Sequence, residues 1–464
     1  MFKTYKRRRL KKPDRSREED RLSNLPDDLL CRILSELPTK DTIRTRLLSK
    51  RWTNLWLTVP ALDLDSKNFE HDAFLFDFID EFVESSEEER GDIIKRFKLV
   101  YDAFDHIHSD FVQRMDGVVK RRVCHLTVLN RVDGEEALVR MPLSLYSCGT
   151  LVDLTLYNVV FDRPENELVS LPCLNTMHLE AVKFDGNDIL KRLISSCSVL
   201  EKLVVITHPG DYLEVVSVRS KSLKSFKLES MRETFEDHGL DPRVEIDSPS
   251  LEYLCVTDYK PRSFCIYNIS PCAKVDVDVV FDVEFDDDDP LNRTRVHNFL
   301  RGLSTVREIV ISARTLKVIK VFSQFEPLPQ FSNLSRLDAS FVESTLEVLP
   351  TFLGCCPNLQ SLVMDFDCLP KTDNEIKLSY VPQCFISSLE FVLMMTPITV
   401  TEPSLQMNLA KYFVRNCGVL KTLMVSESFS SIIKKIERIP KRSGGCEVVM
   451  LNPCVVVHQT SSLY

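Results

Sequence analysis

Glycine is scarce, with twelve in 464 residues. The chain contains no G-x-G-x-x-G, no G-x-x-x-x-G-K-[ST] and no G-x-S-x-G, so phosphate cradles and the strained turn that exposes a nucleophilic serine lack support. H-E-x-x-H and C-x-x-C are also missing, which removes a zincin helix and the strongest zinc signature. No run of eighteen apolar residues occurs, and no hydrophobic region follows the basic N-terminus. Neither a membrane span nor a secretory signal is expected, so the chain is expected inside the cell.

Fifteen cysteines are an odd number in a long chain without an export signal, which favours reduced, mostly buried thiols over a disulfide framework. Cys148, Cys197, Cys356 and Cys417 each precede a leucine by three residues, in SCGTL, SCSVL, CCPNL and NCGVL. One slot used four times reads as small buried side chains at helix-to-strand corners. His106 and His108 with Cys124 and His125 give only a loose metal-like grouping, better read as loop polarity, and no metal or cofactor is expected. The formal net charge of −9 divides into +7 for residues 1–12 and −16 for residues 13–464. A body of that sign repels phosphate, so nucleic acid is not an expected partner. The basic run at 5–12 reads either as a nuclear-import signal or as a solvated tail, leaving nucleus and cytoplasm both open. The acidic runs at 84–92 and 285–290 read as solvated loops.

Only two tryptophans are present, Trp52 and Trp56, both in LSKRWTNLWLTVP. Upstream, Ser23 or Asn24 can cap a helix begun by Pro26, with Asp27 and Asp28 at its positive end. Leu25, Leu29, Ile33 and Leu37 recur every fourth residue, Leu30 and Leu34 widen the stripe, and Pro38 closes it. A second helix is expected from Thr39 or Asp41 through Ile43, Leu47 and Leu48. A third from Ser49 would place Trp52, Leu55, Trp56 and Val59 on one face. So small a module cannot easily bury this much Leu and Trp surface alone, so part of it should dock on the following body or on a partner.

From residue 94 an L-x-x-L-x-L pattern returns, with first positions at 94, 123, 151, 174, 200, 223, 251, 306, 334 and 359 and a weaker one at 274–281. The spacing of about 27 residues is that of leucine-rich repeats, and predicts one short parallel strand per repeat, stacked into a curved solenoid. Strand alternation turns Asp153, Thr155, Tyr157, Thr176, His178, Glu180, Lys227, Glu229, Tyr253, Thr257, Arg336 and Asp338 to the open face, where a target protein could bind. By pattern alone, the segment from LSYVPQCFISSLEFV to IPKRSGGCEVVML reads as two more repeats and a closing cap.

The paired motifs LPDDLLCRIL and LSKRWTNLW, and their spacing, resemble a plant F-box. VPQCFISSLEFV and LAKYFVRNCGVLKTLMV are similar to the FBD domain that accompanies F-box and leucine-rich repeats in many plant proteins. The resemblance implies an α/β protein: a basic arm at 1–20, expected to be disordered, a three-helix F-box at 21–65, leucine-rich repeats at 66–372, an FBD cap at 373–455 and a tail at 456–464. It further implies docking on a Skp-type adaptor and through it on a cullin ubiquitin ligase, with Leu25, Pro26, Leu29, Ile33, Leu34, Leu37, Pro38, Leu47, Leu48, Trp52 and Trp56 forming or supporting the adaptor surface. Glu36, Arg44 and Arg46 depart from the apolar or small residues usual there, and MMTPITVTEP departs from the usual acidic, glycine-containing loop. The function expected is a non-catalytic substrate receptor; the alternative is a repeat-based binding scaffold that recruits no ligase.

Overall fold

The computed structural model describes residue 22 and residues 24–84, 93–102, 108–132, 138–164, 168–207, 215–230, 243–259, 263–281, 290–366, 380–396 and 403–451. The basic arm at 5–12, His106, nearly all of both acidic runs and most of the MMTPITVTEP loop lie outside them.

Each L-x-x-L-x-L segment becomes one strand of a fifteen-stranded parallel sheet that starts at Ala61–Asp65 and ends at Glu447–Met450. The weak candidate at 274–281 holds a full place in it as Lys274–Val279, between Tyr253–Tyr259 and Glu308–Ile311. Alternation sorts the side chains. In Asp153–Tyr157, Leu154 and Leu156 are fully buried while Asp153, Thr155 and Tyr157 face outward. With strands about 4.8 Å apart, the sheet runs roughly 65 Å.

Returning segments form a second layer over the buried face. It contains the helices Ile189–Ser196, Pro290–Leu303, Ala313–Phe325 and Pro403–Asn416, and two small parallel sheets. One small sheet joins Val215–Arg219, Arg243–Ser248 and Ser263–Ile269, and its Val216, Val218, Val244, Ile246 and Phe264 close the core. Asn158 and Ala181 adopt left-handed φ of 55° and 52°, just where the chain leaves a main strand for this layer. Asn tolerates that conformation; Ala pays a steric cost there. Gly302 lets its helix approach the neighbouring strand, since a Cβ there would stand 2.7 Å from Ile266 Cβ.

The cysteine slot is structural: Cys148, Cys197, Cys356 and Cys417 are all buried. The Cys197 thiol donates to Leu193 O at 3.1 Å and that of Cys356 to Phe352 O at 3.2 Å, each four residues back at the end of a helix. The C-terminal segment adds the strands Phe391–Met395, Thr422–Val425 and Glu447–Met450.

One expected element is not formed. The second helix, Thr39–Arg44, stops short of Leu47 and Leu48 in the 3-10 turn Thr45–Leu47, and two further 3-10 turns, Lys50–Trp52 and Leu55–Thr58, stand in place of a third α-helix. A short helix must recover a costly nucleation, and Ser49 supplies no side-chain cap. The two tryptophans instead enter different cores, which one straight helical face could not allow.

Candidate interaction surfaces

The helix Asp27–Ser35 starts after Pro26, with Asp27 and Asp28 in its first turn. It is apolar on two sides. Leu30 and Leu34 are buried in a small cluster with Trp52, Leu55 and Val59. Leu29, Ile33 and, just beyond the helix, Leu37 remain 45%, 40% and 39% exposed. Leu47 and Leu48, on and beside the first 3-10 turn, are 82% and 64% exposed. Pro26 and Pro38 are exposed and Leu25 is half-buried. Eight of the eleven expected surface residues therefore reach solvent, and Leu34, Trp52 and Trp56 do not. Their burial has a physical cause: Leu34 and Trp52 fill the module's own core, and Trp56 enters the repeat core, stacked on Phe78 with centroids 4.9 Å apart. Glu36, Arg44 and Arg46 are exposed, with Arg44 held 3.2 Å from Asp41. None of the three charges is buried, so none carries a desolvation cost in this structure.

The module is fastened to the sheet. Thr42 Oγ1 donates to Leu34 O at 3.1 Å, holding the second helix on the first. Thr39 Oγ1 accepts the Asp63 N–H at 2.7 Å on the first strand of the sheet, and Lys40 Nζ donates to Asn68 Oδ1 at 3.4 Å. With the Trp56–Phe78 stack, these contacts join the exposed leucines to the repeats without a free linker.

On the open face, all twelve expected residues are half-buried and outward-facing. Register aligns Asp153 with Thr176, Thr155 with His178 and Tyr157 with Glu180. Lys227 and Glu229 follow one strand beyond Lys202–Thr207, and Glu229 aligns with Thr257. Arg336 and Asp338 stand apart, beyond Lys274–Val279 and Glu308–Ile311. Within single strands, Lys227 pairs with Glu229 at 2.8 Å and Arg336 with Asp338 at 3.2 Å, and the His178 ring stands 3.6 Å from Glu180; Lys98 reaches across to Asp63 on the next strand at 3.4 Å. Sequence reasoning missed the outward residues of the last four strands, because in SLVMDF and FVLMM both faces are apolar and the alternation is hidden. Among the described residues no group of three or more His, Cys, Asp or Glu could hold a metal, and no helix is long and apolar enough to cross a membrane.

Three family models match parts of the chain. The family model for the F-box domain matches residues 22–62, that for FBD matches 377–425, and one described as "FBD-associated F-box protein At5g56370, LRR repeats" matches 115–268. The F-box/FBD/LRR-repeat protein At1g80470 of Arabidopsis thaliana is 57% identical over 439 residues, covering 94% of this chain and 92% of that one. The chain belongs to the F-box/FBD/LRR-repeat protein family. Other relatives from the same plant are the FBD-associated F-box protein At1g60410, 54% identical over 88% of this chain and 98% of its own, and F-box/LRR-repeat protein 13, 37% identical over 94% and 97%. The F-box is thus the module that exposes the leucines, and the FBD match holds the strands Phe391–Met395 and Thr422–Val425, next to the sheet's final strand.

Proposed function

We propose that this chain is the substrate-receptor subunit of a Skp-cullin-F-box ubiquitin ligase, its F-box docking on a Skp-type adaptor and its repeats holding a target protein. The observation that carries this reading is the two-sided helix Asp27–Ser35. Its inner face fills a core, while Leu29 and Ile33 stay part-exposed and Leu47 and Leu48 of the same module are mostly in water. F-box domains in general bind Skp-type adaptors, and leucine-rich repeats in general bind protein targets. The chain then contributes proximity, and the bond chemistry belongs to other subunits.

Co-expression with a Skp-type adaptor tests it. The wild type should retain the adaptor through size-exclusion chromatography, and a Leu29→Asp/Ile33→Asp variant should lose it with an unchanged melting temperature. A folded wild type that elutes alone favours a scaffold without ligase recruitment. We also propose that residues 5–12 direct nuclear import; a fluorescent fusion lacking residues 1–12 that still accumulates in the nucleus contradicts this.

A further inference from the structure

The open face changes character along its length. In the middle row of side chains, register aligns Asp63, Lys98, Thr127, Thr155 and His178 at the F-box end. The row then passes through Val204, Lys227 and Cys255 and, farther along, reads Asp276, Val310, Asp338, then Val363, Leu393, Met424 and Val449. Four adjacent strands thus place apolar residues side by side. Val363 and Leu393 form a nearly buried floor, Met424 is half-buried and Val449 is 38% exposed at the edge. Phe391 and Met395 flank Leu393 on the same face of their strand.

Two carboxylates begin this run, on either side of Val310. Asp338 Oδ2 takes Arg336 at 3.2 Å, but its buried Oδ1 has no hydrogen-bond partner. Burial pushes the Asp276 carboxyl up; Lys274 opposes this, and Asp278 and Asp338 add to the rise. Negative charge here is poorly solvated, and an incoming cation would relieve it more than it would relieve an exposed acid. The two backbones lie roughly 10 Å apart, so one guanidinium above Val310 can face both carboxylates.

We propose that the strands from Lys274–Val279 to Glu447–Met450 form the target-docking surface, and that its occupant is an extended target segment carrying an Arg or Lys followed by apolar side chains. The cation sits over Asp276 and Asp338, and the apolar residues cover Val363, Leu393, Met424 and Val449. This rests on the substrate-receptor reading and names the class of target.

The test selects from a display library of random twelve-residue peptides on the full chain purified after co-expression with a Skp-type adaptor, then measures the enriched peptides by fluorescence polarisation. Enriched peptides should share a basic residue beside apolar ones. Met424→Glu should weaken them at least tenfold, and Asp276→Asn/Asp338→Asn should abolish the preference for the basic residue without lowering the melting temperature. No enrichment over the Met424→Glu chain, acidic motifs, or binding lost in His178→Ala/Lys227→Ala but kept in Met424→Glu would each overturn the proposal. A concentration-dependent dimer that Met424→Glu abolishes would assign the face to a second copy and overturn it too. Adaptor retention is scored on the same preparation: selection without adaptor keeps this surface and removes the ligase reading, and adaptor without selection does the reverse.

Discussion

Trp52 and Trp56 stand four residues apart and fill two different cores. Truncating either should cost about 3–5 kcal/mol, as large aromatic deletions do, and denaturant unfolding measures it. Leu47 and Leu48, mostly in water, should tolerate alanine within about 0.5 kcal/mol, so stability and adaptor binding separate at these four positions. Cysteines divide in the same manner. Burial pushes the Cys197 thiol up to about 11 and Cys384 up to about 12, and raises Cys417 further. Under native conditions at pH 8, iodoacetamide should modify exposed Cys173 and Cys272 and spare these three until the chain is unfolded; mass spectrometry of the peptides distinguishes the outcomes. Asp276 carries a pH signature. Its folded-state pKa lies above the unfolded value of about 3.9, so the folded chain binds the proton more tightly and stability falls as pH rises through that window. Asp276→Asn should therefore raise the melting temperature near neutral pH, with a gain that shrinks toward pH 4.

Among the elements, the helix Pro290–Leu303 depends on Gly302, because Ile266 occupies the space a Cβ would need. Gly302→Ala should destabilise by about 1–3 kcal/mol, and Ile266→Ala should recover part of that loss in the double variant. The main strands were legible because Leu, Val and Ile recur at alternate positions and each strand needs its neighbours to bury them. Leu30 and Leu34 show where legibility fails. They lie in one periodic run with Leu29, Ile33 and Leu37, and periodicity cannot tell the inward stripe from the outward one when both are leucine. The 3-10 turns around Trp52 were hidden for a related reason: i, i+3, i+4 spacing is compatible with a helix, but only the packed structure shows that Trp56 must reach Phe78. The small outer-layer strands, some of two residues, carry too little pattern to register at all.

At the scale of the whole molecule, the F-box is built onto the first strand of the sheet. Thr39 accepts from Asp63, and Trp56 contributes to the repeat core. A target held on the distant strands would then keep a fixed bearing on the adaptor, which is how a receptor without chemistry raises the rate of transfer. In this arrangement the leucines outside the F-box core exist for the adaptor. Isothermal titration of the full chain with a purified Skp-type adaptor, beside a Leu47→Asp/Leu48→Asp variant of equal melting temperature, tests it most directly. The wild type should bind tightly and the variant at least about thirtyfold more weakly, the loss of more than one anchor residue. A folded wild type that does not bind, or a variant that binds equally well, would contradict it.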